Sequence, residues 1–237
     1  MGIFSTGTSP DLKAFFEAED LDDLLEARSK LRQLDEKDIK KIRFTLKKWN
    51  KPQAVANLLF HPFLIPEDIR VSCLLKGLRE TKNQYYILAS AVGLQGIDST
   101  GFSQEERKAI RESLILILKT SGGVISARAS VSIRDFLSSR DTSAMFELLS
   151  HPDETTRHNI LCWLIRTAEE PDPEVFISIA SSSNIPEEIQ KEVIEKFQEH
   201  LKQKETGESS SFVMPLYAYI PNLRDTAKSP LSKTTLA

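Results

Sequence analysis

The sequence predicts an all-α protein, and three observations carry that expectation. Apolar residues recur at helical spacing through most of residues 10–203, and no window sustains the alternation of a β-strand. Helix-starting and helix-ending residues recur at short intervals along the same stretch. The block Ile-Pro-Glu-Asp-Ile at 65–69 returns as Ile-Pro-Glu-Glu-Ile at 185–189, which is typical of helical units that are copied and stacked.

The N-terminal quarter contains the first predicted helices. Residues 1–10 are predicted to form a flexible arm, and Ser9 followed by Pro10 is a typical N-cap and first helical position. A second apolar stripe follows, and Asp35 then caps a third segment that ends before Pro52. We expect a single helical domain over residues 11–203, with N-terminal helices at 11–51 and helical repeats at 52–203.

The repeat region begins with two short helices around a turn. The first is expected to stop at His61-Pro62, and Pro66 is expected to start the second. Ser103 to Glu106 has the form of a capping box, and the helix it opens is apolar almost all round at 114–118. We therefore expect 114–118 to lie in the middle of the stack. Further helical segments are predicted at 83–95, 124–137, 145–149, 160–165, 175–179 and 189–201.

The C-terminal stretch, residues 204–237, differs in composition. It is rich in Ser, Thr and Pro, and it is predicted to be a flexible or extended tail. The segment Tyr217-Ala218-Tyr219-Ile220 within it has the Tyr-x-x-apolar form of a sorting motif, with Tyr217 and Ile220 as its defining residues. Such short matches arise often by chance.

Several helix pairs broken at a proline resemble the HEAT/armadillo class of helical repeats. The resemblance covers roughly residues 52–203, with matching positions at Leu58-Leu59, Pro62 and Pro66, again at Leu148-Leu149 and Pro152, and again at Pro186. It implies stacked antiparallel helix pairs, in a solenoid or an irregular helical bundle. Members of that class mostly bind proteins or peptides along a groove, so the resemblance implies an interaction protein.

Composition narrows the function classes. The chain has 237 residues, a formal net charge of −3 and 40% apolar residues, which gives no overall attraction to nucleic acid but enough apolar surface for a core. Two cysteines and no N-glycosylation sequon indicate a reducing compartment, and no apolar run is long enough to cross a bilayer. We expect a cytoplasmic protein, with membrane association as an open alternative.

No catalytic or metal-binding motif stands out. His158 and Cys162 stand at i and i+4, but two ligands do not make a zinc site. His61 and His151 occupy equivalent places before a proline, which favours a structural role in a turn. The predicted function is therefore a non-enzymatic adaptor or scaffold without a cofactor, acting through a protein partner or self-association.

Two features support an alternative, a peripheral membrane protein of the coat or matrix type found in viruses. Gly2 lies in an N-myristoylation pattern, Met-Gly-x-x-x-Thr, and one acyl chain needs a second signal for stable anchoring. A basic cluster could supply it as a lipid- or RNA-binding patch, or it could pair with the acidic block at 17–26 across adjacent helices. The cluster comprises Arg28, Lys30, Arg32, Lys37, Lys40, Lys41, Arg43, Lys47, Lys48 and Lys51.

Overall fold

The computed structural model describes residues 9–31, 34–137 and 141–167, together with scattered helical positions between 187 and 202. The all-α prediction is confirmed, because the described residues form ten α-helices and no β-strand. The helices are α1 (Pro10–Glu17), α2 (Leu21–Lys30), α3 (Glu36–Lys48), α4 (Pro52–Phe60), α5 (Glu67–Leu78), α6 (Gln84–Leu94), α7 (Gln104–Thr120), α8 (Gly123–Ser132), α9 (Thr142–Glu147) and α10 (Glu154–Thr167).

The chain divides into two compact units after Asp98. The first unit contains α1 to α6 and the second contains α7 to α10. The single domain predicted over residues 11–203 stays a prediction. The third copy of the repeat, at 175–194, lies almost wholly outside the described residues.

The helix starts of the first unit follow the predicted capping chemistry. The Ser9 hydroxyl accepts the N–H of Leu12 at 3.3 Å, and the Asp35 carboxylate accepts the N–H of Asp38 at 2.8 Å. Each cap satisfies a backbone donor that the helix itself leaves unpaired, and such a cap typically contributes about 1 kcal/mol. The predicted starts of α1 and α3 are confirmed.

The core of the first unit brings α4, α5 and α6 into close contact. Leu58, Leu59 and Leu74 are fully buried there. A Cβ added to Gly93 of α6 would meet the Leu59 carbonyl oxygen at 2.1 Å, so only glycine allows this approach of α6 to α4. A Cβ on Gly77 of α5 would likewise lie 2.1 Å from the hydroxyl oxygen of Ser90 in α6.

A buried amide ties α1 to α4. Asn57 is fully buried, and its Nδ2 donates to the carbonyl oxygens of Phe15 at 2.8 Å and Ala18 at 3.0 Å. The Gln53 Nε2 also donates to Ala18, at 2.8 Å. These donors satisfy carbonyls at the C-terminal end of α1 that have no partner within the helix.

In the second unit, α7 is covered on one side. The predicted capping box is confirmed, because Ser103 and Glu106 exchange both of its hydrogen bonds. Leu114 and Leu118 are fully buried against α8 and the short helix that follows it, whereas Leu116 is 62% exposed. The expectation that the whole of 114–118 lies in the middle of a stack is therefore wrong, because within the described residues α7 packs mainly on one side.

The two predicted proline corners, the turn at 61–66 before α5 and the turn at 151–153 before α10, have similar hydrogen bonds. Below the first corner, the Arg70 guanidinium donates to the carbonyls of Pro62 at 2.9 Å and Ile65 at 3.1 Å. Below the second, Arg157 donates to the carbonyls of His151 at 2.8 Å and Pro152 at 3.0 Å. In both corners an arginine of the following helix thus satisfies the turn carbonyls. The HEAT/armadillo-like arrangement as a whole stays a prediction.

Candidate interaction surface

The orientation of α3 follows from the residues on its inner side. Ile42, Thr45 and Leu46 are buried on the side that packs against α4. Asp38 is also buried, and its carboxylate accepts the backbone N–H of Ser9 at 3.1 Å, which fixes the start of α1 against α3. With this side held inward, the opposite side of the helix must face solvent.

The outer side of α3 carries an exposed aromatic residue surrounded by lysines. Phe44 is 53% exposed. Lysines stand seven, four and three residues before it and three and four residues after it. At about 100° per residue, all five project within about 60° of the direction of Phe44. The basic–aromatic face is defined here as Phe44 with Lys37, Lys40, Lys41, Lys47 and Lys48.

Two of these lysines contact the aromatic ring. The Nζ atoms of Lys41 and Lys48 each lie 5.9 Å from the centroid of the Phe44 ring. Exposed cation–π contacts contribute only about 0.5–1 kcal/mol, so they leave both the ring and the ammonium groups accessible to a partner. The face therefore combines an apolar centre with a positively charged rim.

Some of the positive charges in this part of the chain are paired within single helices. Lys40 pairs with Glu36 at 2.8 Å, and Lys30 pairs with Glu26 at 2.6 Å, both between exposed side chains four residues apart. The pKa of Glu36 is lowered by its hydrogen bond with Lys40. Lys41 and Lys47 form no ion pair with any described residue. Each of the two pairs on α2 and α3 lies within a single helix. The pairing of the acidic and basic blocks across adjacent helices stays a prediction.

The arginine of α3 has a separate role. Arg43 donates two hydrogen bonds to Asp68 of α5, at 2.6 and 2.7 Å. This fork geometry lowers the pKa of Asp68 and raises that of Arg43, chiefly through the side-chain hydrogen bonds. Arg43 therefore links two helices of the first unit and does not belong to the basic–aromatic face.

The other predicted site residues lie elsewhere. Arg28 donates to the carbonyl of Leu31 at 3.4 Å at the end of α2, and Lys51 is an exposed residue just before α4. Gly2, Arg32, Tyr217 and Ile220 lie outside the described residues. The structure thus gathers five of the ten basic residues onto one face.

Sequence reasoning missed Phe44, although a signal for it is present. An aromatic residue with lysines at i±3 and i±4 lies on the polar side of its helix, and a helical projection of 36–48 shows this directly. Trp49, the residue that follows α3, packs within the first unit. Its ring lies 5.4 Å from that of Tyr86, and the Lys76 Nζ lies 4.1 Å from its centroid.

A buried polar cluster in the second unit has the composition of a nucleophilic site. The His151 Nε2 lies 3.4 Å from the Ser126 hydroxyl and 3.0 Å from the Ser121 carbonyl oxygen, and its Nδ1 accepts the N–H of Asp153 at 3.0 Å. Since Nδ1 accepts and a carbonyl oxygen can only accept, Nε2 must carry the proton. It therefore cannot take a proton from Ser126 as a general base in this geometry.

The same cluster has a clear structural role. His151 satisfies the carbonyl of Ser121 at the C-terminal end of α7. The Thr156 hydroxyl lies 3.0 Å from that of Ser126, and the Asn159 Nδ2 donates to the Ser130 hydroxyl at 2.8 Å. These bonds join α8 to α10, which agrees with the structural turn role expected for His151.

Among the described residues, no group of three or more His, Cys, Asp or Glu side chains could hold a metal ion, and no helix has the length and apolarity needed to cross a membrane. Comparisons of the chain with protein-family models, with curated proteins and with solved structures find no match.

Proposed function

We propose that this chain is a non-enzymatic helical-repeat protein that acts as an adaptor or scaffold and binds an anionic partner through the basic–aromatic face. The single observation that carries the proposal is the half-exposed Phe44 at the centre of five lysines. The resemblance of the two proline corners supports the helical-repeat part of the proposal.

The energetics of α3 favour a partner. Lys41, Lys47 and Lys48 gather positive charge around Phe44, and like charges gathered on one surface repel one another. The exposed part of the Phe44 ring forgoes a fraction of the roughly 1.5–3 kcal/mol that full burial of such a side chain provides. A partner with negative charge and some apolar surface relieves both costs, and its approach is accelerated by the local field.

The proposal is tested with the full-length chain and two anionic probes. One probe is fluorescein-labelled polyglutamate, which represents an acidic polypeptide, and the other is a phosphatidylserine-containing vesicle. The face-reversal variant carries Lys41→Glu, Lys47→Glu and Lys48→Glu, and we expect it to lose at least tenfold in affinity for whichever probe the native chain binds.

A charge-matched control separates the face from overall charge. The control variant carries Lys82→Glu, Lys108→Glu and Lys202→Glu, which are exposed residues outside α3. Its net charge equals that of the face-reversal variant, so we expect near-native binding. Equal losses in both variants, or no binding of either probe by the native chain, would refute the proposed function.

A second candidate function is a membrane-associated coat-type protein that is myristoylated at Gly2. The hydrogen bond from Ser9 to Asp38 favours it, because it places the start of α1 against the helix that carries the lysines. Gly2 precedes Ser9 by seven residues, which span at most about 25 Å, so an acyl chain on Gly2 and the lysines can reach one surface. One acyl chain alone binds membranes only marginally, with an association constant of about 10⁴ M⁻¹.

The intact mass of the protein made in eukaryotic cells tests the second candidate. Loss of Met1 and gain of a myristoyl group, both abolished by Gly2→Ala, would support it. An unmodified N-terminus would remove acylation from the proposal. Light scattering at rising concentration checks the assembly that a coat-type function requires.

A further inference from the structure

We infer that the partner of the basic–aromatic face is an anionic lipid bilayer, with the Phe44 ring entering the headgroup region and Lys41, Lys47 and Lys48 contacting lipid phosphates and carboxylates. The inference rests on the proposed function and names the partner class for the same site. It does not depend on acylation of Gly2.

The chemistry of the charges favours a bilayer over an acidic protein. All five positive charges of the face are lysines, which are compact ammonium groups on flexible stems and adapt to a diffuse negative surface. The fork of an arginine suits the fixed carboxylates of a protein partner, but the arginine of α3, Arg43, is already engaged by Asp68 at 2.6 and 2.7 Å. Lysine stems also extend along an apolar surface while their charges stay in water.

The shape of the face also favours a bilayer as the partner. It is the outer side of one helix of 13 residues, about 20 Å long, with Phe44 in its middle. A convex helix meets a planar bilayer along its whole length, so lysines within about 60° of Phe44 approach the same plane as the ring. Lysines gathered on one side of a helix are also attracted to the negative surface of an anionic leaflet.

The expected loss of vesicle affinity in the face-reversal variant follows from the number of lysines that it replaces. Each lysine near an anionic leaflet strengthens binding by about fivefold. Removing three of them therefore weakens binding by about 100-fold, and the three introduced glutamates add repulsion. Phe44→Ala keeps every charge, so the vesicle affinity that this variant loses isolates the contribution of the ring. We expect this loss to be about tenfold.

The experiment uses the unacylated full-length chain and vesicle flotation. The vesicles contain phosphatidylcholine with roughly one-third phosphatidylserine, or phosphatidylcholine alone, at low and high salt. The proteins are the native chain, Phe44→Ala, the face-reversal variant and the control variant. Equal helicity by circular dichroism establishes that each variant is folded.

A spectroscopic readout reports insertion directly. In a Phe44→Trp variant, we expect a blue shift and quenching by brominated lipid beyond that of the native chain. The two native tryptophans are Trp49, which lies within the first unit, and Trp163, which is buried in the second. A residue that only separates the lysines, without entering the bilayer, would not give this signal. The variant is expected to fold normally because position 44 is exposed.

The outcomes separate the inference from the proposed function. We expect binding to the phosphatidylserine vesicles that falls with salt, is absent on phosphatidylcholine, is lost in the face-reversal variant and is kept in the control. Binding of polyglutamate without binding of vesicles would overturn the bilayer inference and leave the proposed function with an acidic protein as its partner. Vesicle binding that the face-reversal variant retains would also overturn the inference, and failure of both probes would overturn the inference and the proposed function together.

Discussion

The close approach of α6 to α4 at Gly93 gives a prediction that can be worked from the structure. In Gly93→Ala, the new Cβ would stand 2.1 Å from the Leu59 carbonyl oxygen, 3.3 Å from the carbon of that carbonyl and 3.4 Å from the Leu74 Cδ2. Ordinary contact requires more than 3 Å, and the oxygen belongs to the backbone of α4, so no side-chain rotation relieves the clash. The two helices must separate by about 1 Å.

Two opposing contributions set the change in the free energy of unfolding of Gly93→Ala. Replacing a glycine inside a helix with alanine stabilises the helix by about 1 kcal/mol. Overpacking costs about 1–3 kcal/mol, and an added 1 Å gap between α4 and α6 forfeits dispersion contacts among fully buried residues such as Leu58 and Ala91. We expect the overpacking and gap terms to dominate and the free energy of unfolding to fall by about 2 kcal/mol.

Urea denaturation followed by circular dichroism measures this loss. A matched control is Gly96→Ala, whose Cβ would lie 3.6 Å from the Phe63 ring in ordinary contact, so its unfolding free energy should change by less than about 0.5 kcal/mol. Native or increased stability of Gly93→Ala would refute the close approach of α4 and α6.

Three further predictions concern packing and pH. The Ser90 hydroxyl is buried without a hydrogen-bond partner among the described residues and would lie 2.1 Å from a Cβ on Gly77. Ser90→Ala should therefore keep or raise stability and should lessen the cost of Gly77→Ala in a double-mutant cycle. Leu118→Ala should lower the free energy of unfolding by about 3 kcal/mol, whereas Leu116→Ala at the exposed position should cost under about 0.5 kcal/mol; similar losses at both sites would contradict the one-sided packing of α7. Burial lowers the pKa of His61 in the folded chain. Around and below its unfolded-state pKa of about 6.5, the unfolded chain therefore binds more protons than the folded chain. The free energy of unfolding should fall as the pH drops through that value and should level off below the folded-state pKa. His61→Gln should remove this part of the pH dependence, as measured by urea denaturation across pH 5–7.5.

Much of the local structure could be predicted because it depends on near neighbours in the chain. The caps at Ser9, Asp35 and Ser103 use side chains that reach backbone groups three residues away, and all three appear as expected. The break at His61-Pro62 follows from the missing N–H and fixed φ of proline. These interactions need no knowledge of the rest of the fold.

The interaction surface could be predicted only in part. The cluster of basic residues is visible in the sequence, but which of them share a face depends on the exact phase of α3 and on its inner contacts with α4. Arg43 sits within that cluster, yet it is engaged by Asp68, 25 residues further along the chain. Phe44 carries an apolar signal that sequence reasoning places in a core as readily as at a surface.

The sequence by itself determined the helical class, the caps at Ser9, Asp35 and Ser103 and the positive charge of the segment at 28–51, because period, caps and composition act over one or two turns. The tertiary structure alone decided that Leu116 is exposed while Leu118 is buried, that Phe44 lies outside among lysines, and that His151 holds its proton on Nε2. The reason is that the exposure of an apolar side chain and the proton position of a buried imidazole depend on which distant segment packs against it. A sequence specifies the chemistry of each side chain locally, whereas its neighbours across the fold are set by how the helices pack together.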